Sequence, residues 1–116
     1  MAVFVTNQGL SRTDPAWQDL DEINGAANKG VRLAADITDE KAQVLFVDIE
    51  ANGFIAMHSQ PERSVCYIVE GEGAILVEGQ PDITYASGDT ITFAPDVSHG
   101  WRNKSTRTRL LVMVLL

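Results

Sequence analysis

From residue 31 onward, apolar and polar residues alternate with a period of two over much of the chain. Val31, Leu33, Ala35 and Ile37 interleave with Arg32 and Asp36, and Leu45, Val47 and Ile49 interleave with Asp48 and Glu50. Such alternation predicts strands with one buried face, because successive side chains of a strand point to opposite sides. Further short runs rich in β-branched and aromatic residues fall at 3–6, 54–58, 65–69, 74–77, 83–85, 90–93, 100–103 and 107–116. Turn residues separate them: Thr38-Asp39-Glu40-Lys41, Ala51-Asn52-Gly53, Glu70-Gly71-Glu72-Gly73, Glu78-Gly79-Gln80 and Ser87-Gly88-Asp89. Roughly nine or ten short strands, glycine-centred turns and no long helix predict an all-β antiparallel sandwich or barrel.

Two departures from strict alternation carry information. Residues 7–30 are polar and irregular, apart from Asp14-Pro15-Ala16-Trp17-Gln18-Asp19-Leu20, which reads as a helical turn with Asp14 as its cap and Pro15 at its first position. Residues 1–30 are thus expected to form an arm on a barrel of residues 31–116, held down by Trp17 and Leu20. Val44 and Phe46 lie on the polar side of their strand, and Leu110–Leu116 is apolar at both parities. Strands apolar on both sides need cover on both sides. A second copy of the chain is the expected cover, giving a homodimer; the 7–30 segment is the competing one.

A length of 116 residues allows one ordinary domain. The net charge is −7, and it is unevenly placed: residues 1–101 hold all 16 acids and 5 bases, while Arg102, Lys104, Arg107 and Arg109 follow without an acid among them. A body so acidic repels phosphate backbones, which argues against nucleic-acid binding. The basic cluster suits either an anionic ligand or a solvated strand edge. Cys66 is the only cysteine, so no intrachain disulfide forms and a cysteine-rich zinc site is excluded. The first residues lack the pattern of a signal peptide, and the longest apolar run has seven residues, too few to span a bilayer as a helix. The expected setting is cytoplasmic, away from membranes.

The two histidines carry the chemistry. His58 ends the run after Gly53, and Gln60 and Glu62 follow at alternate positions, so in an extended chain the three share a face. His99 follows Gly88-Asp89, a β-branched strand and Pro95-Asp96-Val97-Ser98, and precedes Asn103 by four. Around these residues the chain resembles the cupin superfamily. The first cupin motif is matched by Gly53…His58-Ser59-Gln60…Tyr67-Ile68-Val69-Glu70-Gly71-Glu72-Gly73, and the second by Gly88-Asp89…Pro95…His99…Asn103. The resemblance covers residues 31–116. It implies a cupin-type double-stranded β-helix, a jelly-roll barrel whose interior holds a metal on three histidines and a glutamate. His58 and His99 occupy two of those positions, but Gln60 stands at the second histidine and Ser64 at the glutamate. Ala94 and Asp96 stand in the usual proline and glycine places of the second turn.

Two imidazoles and an amide bring no negative charge to a divalent ion, a set that suits Zn²⁺, Ni²⁺ or Cu²⁺ better than a hard ion. Glu62 is the candidate to restore a charge, with Cys66 as another inward residue. The expected metal set is therefore His58, Gln60, His99 and Glu62, holding one divalent transition metal. Ser64, Cys66, Trp101, Phe93 and Tyr85, with Leu45, are expected to line a pocket for a small organic ligand. The resemblance implies a metal-dependent enzyme of isomerase, cyclase or lyase type, using Lewis-acid or enolate chemistry. The other reading is a non-catalytic binding or sensing protein whose metal site has decayed.

Overall fold

A computed structural model describes all residues, 1–116, and every regular element in it is a strand. With no helix at all, none is long and apolar enough to cross a membrane. The N-terminal quarter forms β1 (Ala2–Thr6), β2 (Gly9–Thr13), β3 (Gln18–Asp19), β4 (Glu22–Ile23) and β5 (Ala26–Ala27). The longer strands follow: β6 (Lys29–Thr38), β7 (Ala42–His58), β8 (Arg63–Glu70), β9 (Glu72–Val77), β10 (Ile83–Ala86), β11 (Thr90–Phe93), β12 (His99–Asn103) and β13 (Thr108–Leu115). All pairings are antiparallel, and one nine-stranded sheet runs β10-β9-β12-β7-β13-β8-β11, with β6 on β7 and β3 on β6.

Strand β7 organises the barrel. Its first half pairs β6 on one side and β13 on the other, and its second half pairs β12. One strand thus serves two stretches of wall, and the sheet curls around a core that includes Ile49, Ile68, Ile75 and Leu110, each at most 1% exposed. Burying each such side chain stabilises the fold by about 1.5–3 kcal/mol. The inward residues of β13 are Leu110, Val112 and Val114; Leu111, Met113 and Leu115 point outward, beside Phe46 and Val44 of β7 and Tyr67, Val65 and Arg63 of β8.

Three expectations change. Ala51-Asn52-Gly53 is not a reversal but a kink inside β7, with Asn52 at φ 61 and its amide donating to the Lys104 carbonyl at 2.6 Å. The helical turn at 14–20 is absent: the segment is extended and pairs β6 through Gln18 and Asp19. Trp17 holds this extended segment to the barrel by lying under two guanidiniums, with Arg32 and Arg109 5.0 and 5.1 Å from its ring centroid. These cation–π contacts outweigh the weak preference of a single helical turn. The 7–30 segment, expected to be irregular, also supplies β2, which pairs β1 in one hairpin, and a second hairpin, β4–β5, turning at Asn24 and Gly25. Both turn residues have positive φ, 50 and 84, as a tight two-residue hairpin requires.

The basic cluster finds acids. Arg109 binds Asp48 through Nε at 2.7 Å and Nη2 at 2.9 Å, Arg102 binds Asp82 at 2.7 Å, and Arg107 binds Glu70. Three of the four late bases are therefore taken up in intrachain pairs rather than offered to an anionic ligand.

Candidate functional site

His58 and His99 are direct register partners across β7 and β12, so the sheet sets the two imidazoles side by side with centroids 4.5 Å apart. Each ring makes one hydrogen bond, through Nδ1 to the carbonyl two residues earlier: His58 to Ala56 at 2.8 Å and His99 to Val97 at 2.9 Å. A backbone carbonyl can only accept, so Nδ1 carries the proton in both rings. Nε2 is then the nitrogen each ring offers to the cavity that both line. Phe93 stacks on His99 at 3.6 Å and 11° and fixes the plane of that ring. Burial holds the His99 pKa below the ordinary imidazole value; the bond to Val97 opposes this and the nearby His58 adds to it. The balance favours the neutral imidazole at His99.

The cavity has a volume of about 240 Å³, and eleven of its fifteen lining residues are hydrophobic. Its polar residues are His58, His99, Gln60 and Ser64. Leu45, Cys66 and Trp101 line it as the sequence predicts. Phe93 and Tyr85 do not. Both are buried, but Phe93 lies behind His99, and Tyr85 packs edge-on against Trp101 at 5.4 Å and turns its hydroxyl to Thr108. Glu62 is half-buried in the turn between β7 and β8 and is not part of the cavity wall. No third His, Cys, Asp or Glu joins the imidazole pair in a metal-holding group.

Burial pushes the Cys66 thiol up to about 12, against a smaller opposing effect of the Ser64 hydrogen bond. At pH 8 only about one thiol in ten thousand is then the reactive thiolate. Cys66 is expected to resist iodoacetamide at pH 8 in the folded protein and to react once urea unfolds it. Rapid alkylation without denaturant, read by intact mass, would show that the wall opens.

Alternation along the strands left Leu20 and Ile23 out of the wall, yet both belong to it. Their segment closes one side of the cavity and is tied to the barrel by side-chain amides. Asn24 Nδ2 donates to the Ser59 carbonyl at 3.1 Å, Asn28 Oδ1 accepts from the Ala56 amide at 2.8 Å, and Asn28 Nδ2 donates to the Leu20 carbonyl at 3.2 Å. The only hint in the sequence is Asn24-Gly25, a tight-turn dipeptide flanked by apolar Ile23 and Ala26. A larger depression of about 480 Å³ lies outside, among Asp19, Asp21, Arg32, Asp48, Glu50 and Arg107. Arg107 lies 3.8 Å from Asp48 within it, and its lining holds no histidine and shares no residue with the imidazole pair's cavity, so the inner cavity is the candidate site.

A family model described as "Cupin domain" matches residues 45–115. No curated protein matches the sequence. Among solved structures, a cupin 2 conserved barrel domain protein from Rhodopseudomonas palustris superposes with a TM-score of 0.78 at 18% identity, covering 99% of this chain and 80% of its own. A predicted oxalate decarboxylase from Thermotoga maritima gives 0.76 at 22%, covering 100% and 99%. The polyketide cyclase RemF from Streptomyces resistomycificus gives 0.78 at 17%, covering 90% and 76%. At these identities the likeness is one of fold.

Proposed function

The chain belongs to the cupin domain family, and from that footing we propose that its inner cavity binds a small organic molecule beside one divalent ion held by His58, His99 and Gln60. The observation that carries this reading is the pair of imidazoles locked through Nδ1 to backbone carbonyls. Metal-ligating histidines are typically oriented in this way, with the other ring nitrogen left free. Three neutral donors fit a borderline-soft ion such as Zn²⁺, Ni²⁺ or Cu²⁺, and they do not fit a hard ion that wants carboxylates. When bound, such an ion supplies Lewis acidity toward a carbonyl or enolate oxygen.

The chain's own residues do the rest. Apolar walls from Leu45, Val112 and Trp101 hold the ligand body and exclude water. With both Nε2 lone pairs given to the ion, the polar groups left at that end are the Gln60 amide and the Ser64 hydroxyl, which can hydrogen-bond and orient a ligand oxygen. Isomerisation, cyclisation and elimination all use these elements, and the enzyme named RemF, a polyketide cyclase, shares the fold. One observation favours the second reading, a non-catalytic binding protein: no carboxylate lines the cavity to offset a +2 charge.

Elemental analysis separates the two. Protein purified without chelator is expected to carry about one transition-metal ion per chain, and His99→Ala to lose it while keeping the wild-type circular dichroism. Glu62→Gln, which lies off the wall, is expected to keep the metal. A metal-free wild type that folds and binds ligands would establish the binding-protein reading instead.

A further inference from the structure

We infer that the ligand is a one-ring molecule with a single hydrogen-bonding oxygen or nitrogen, of the phenol or enol type, and that it passes beneath the strap Leu20–Asn28. This inference rests on the cavity being the ligand site. Size comes first. A cavity of about 150 Å³ walled by aliphatic and aromatic residues takes a benzene ring. At about 240 Å³, this one has room for one substituted ring, and it falls below the roughly 300–1,000 Å³ of sites for drug-sized ligands.

Polarity comes second. No Asp, Glu, Lys or Arg lines the cavity. The polar groups are concentrated in the imidazole pair, Gln60 and Ser64; the other walls are apolar, apart from the indole of Trp101. A sugar acid or a dicarboxylate would place hydroxyls or a second carboxylate against Leu33, Val47 and Leu110, which offer no hydrogen bond, and burying such groups unpaired is costly. An ion on the imidazoles could match one anionic oxygen, as a phenolate or enolate presents, and no more. A ring with one polar substituent meets both ends of the cavity.

The strap supplies the entry. Leu20 and Ile23 close one side of the cavity, and they belong to a short stretch whose side-chain attachments to the barrel are the Asn24 bond to Ser59 and the Asn28 bond to Ala56. Behind it, β6 and β7 are joined along their length. Leu20 itself is tied to β6, its amide donating to the Val31 carbonyl at 2.9 Å, so the β4–β5 hairpin beyond it is the part of the wall that can lift without breaking the barrel's own ladders, and Ile23, at the tip of that hairpin, is the residue that sets how large a ligand fits.

Titration with 4-fluorophenol, fluorobenzene and oxalate tests the inference on the protein as purified, using ¹⁹F NMR for the first two and calorimetry for the third. 4-Fluorophenol is expected to bind with Kd below 1 mM and fluorobenzene at least fivefold more weakly, and oxalate is expected to give no heat. Ile23→Trp, which fills the mouth from a surface hairpin, should abolish binding of 4-fluorophenol, and Ile23→Ala should speed its release at least tenfold. If oxalate binds and 4-fluorophenol does not, the ligand class is wrong while the cavity stands as the site. If 4-fluorophenol binds equally well to Ile23→Trp, the strap is not the entry. If none of the three probes binds, or if binding is indifferent to both Ile23→Trp and His99→Ala, the cavity reading itself fails.

Discussion

Asn103→Ala is expected to cost about 3–5 kcal/mol of stability, because it removes the hub of a buried polar knot. Asn103 is 6% exposed. Its Nδ2 donates to the carbonyls of Ile49, Glu50 and Thr106 at 3.0, 2.9 and 2.7 Å. Its Oδ1 accepts from the Lys104 amide at 2.9 Å and the Thr108 hydroxyl at 2.7 Å, and the Tyr85 hydroxyl lies 3.4 Å away while bonding Thr108 at 2.9 Å. One side chain thus ties the kink of β7 to the β12–β13 connection. Alanine would leave several of these groups buried without partners, each at about 1–3 kcal/mol before relaxation or water entry. At roughly 4 °C per kcal/mol for a chain of this size, Tm should fall by about 12–20 °C. Tyr85→Phe, which strips only the outlying hydroxyl, should cost about 1 kcal/mol. Thermal melts followed by circular dichroism compare the two, and an Asn103→Ala protein within 1 kcal/mol of wild type would show that the knot is solvated. Gly73 presses on the same place: a methyl group there would lie 2.5 Å from the Arg102 carbonyl oxygen and 2.6 Å from the Tyr85 hydroxyl.

Asn103 also marks what could be read from the sequence. The asparagine was visible as the last position of the second motif, but nothing in spacing or parity told that it is a structural hub rather than part of the cavity. Strand parity did place the inward residues Leu45, Ser64, Cys66, His99 and Trp101, because a period of two fixes the side of a wall whatever the curl of the sheet. Parity is silent about depth. Phe93 and Tyr85 have the inward parity, yet one lies behind His99 and the other beneath Trp101. Glu62 shares the parity of Gln60 only if the chain stays extended, and the stretch between β7 and β8 does not. Asn52-Gly53 resembles a hairpin turn, and the carbonyls that Asn103 binds, with the Lys104 carbonyl that takes the Asn52 amide, hold it as a kink. Residues 7–30 read as irregular, with a helical turn at 14–20, because their structure depends on partners distant in sequence: Trp17 needs Arg109, and Asn28 needs Ala56. Local propensity yields to such contacts.

We propose that the protein is a homodimer, and sedimentation equilibrium at micromolar concentration should return twice the 12.6 kDa of one chain. The outer face of β7, β13 and β8 sets Val44 and Phe46 beside Met113 and Leu111, and these beside Val65 and Tyr67. Met113 and Tyr67 are more than two-fifths exposed. The N-terminal segment, the competing cover, reaches only one end of this face, where Trp17 lies under Arg32 and Arg109; Leu20 and Ile23 turn to the cavity, and Met113, Tyr67 and Leu115 stay open. A second unpartnered surface sits on the same chain. The β1–β2 hairpin exposes Val5 and Leu10 at 70% and 57%, and the molecule measures 49 Å along its long axis against 28 Å across. An apolar patch and an apolar edge left open on a monomer invite association. Two-fold pairing closes them within a pair rather than in an open-ended chain, because each copy contributes the same surfaces to the other. The double variant Leu111→Lys, Met113→Glu puts charge at the centre of the face without touching the inward residues of β13, and it should convert the dimer to a folded monomer. A wild-type chain that sediments at 12.6 kDa and stays soluble would refute the dimer, and it would mean that the exposed hairpin and face serve a different partner.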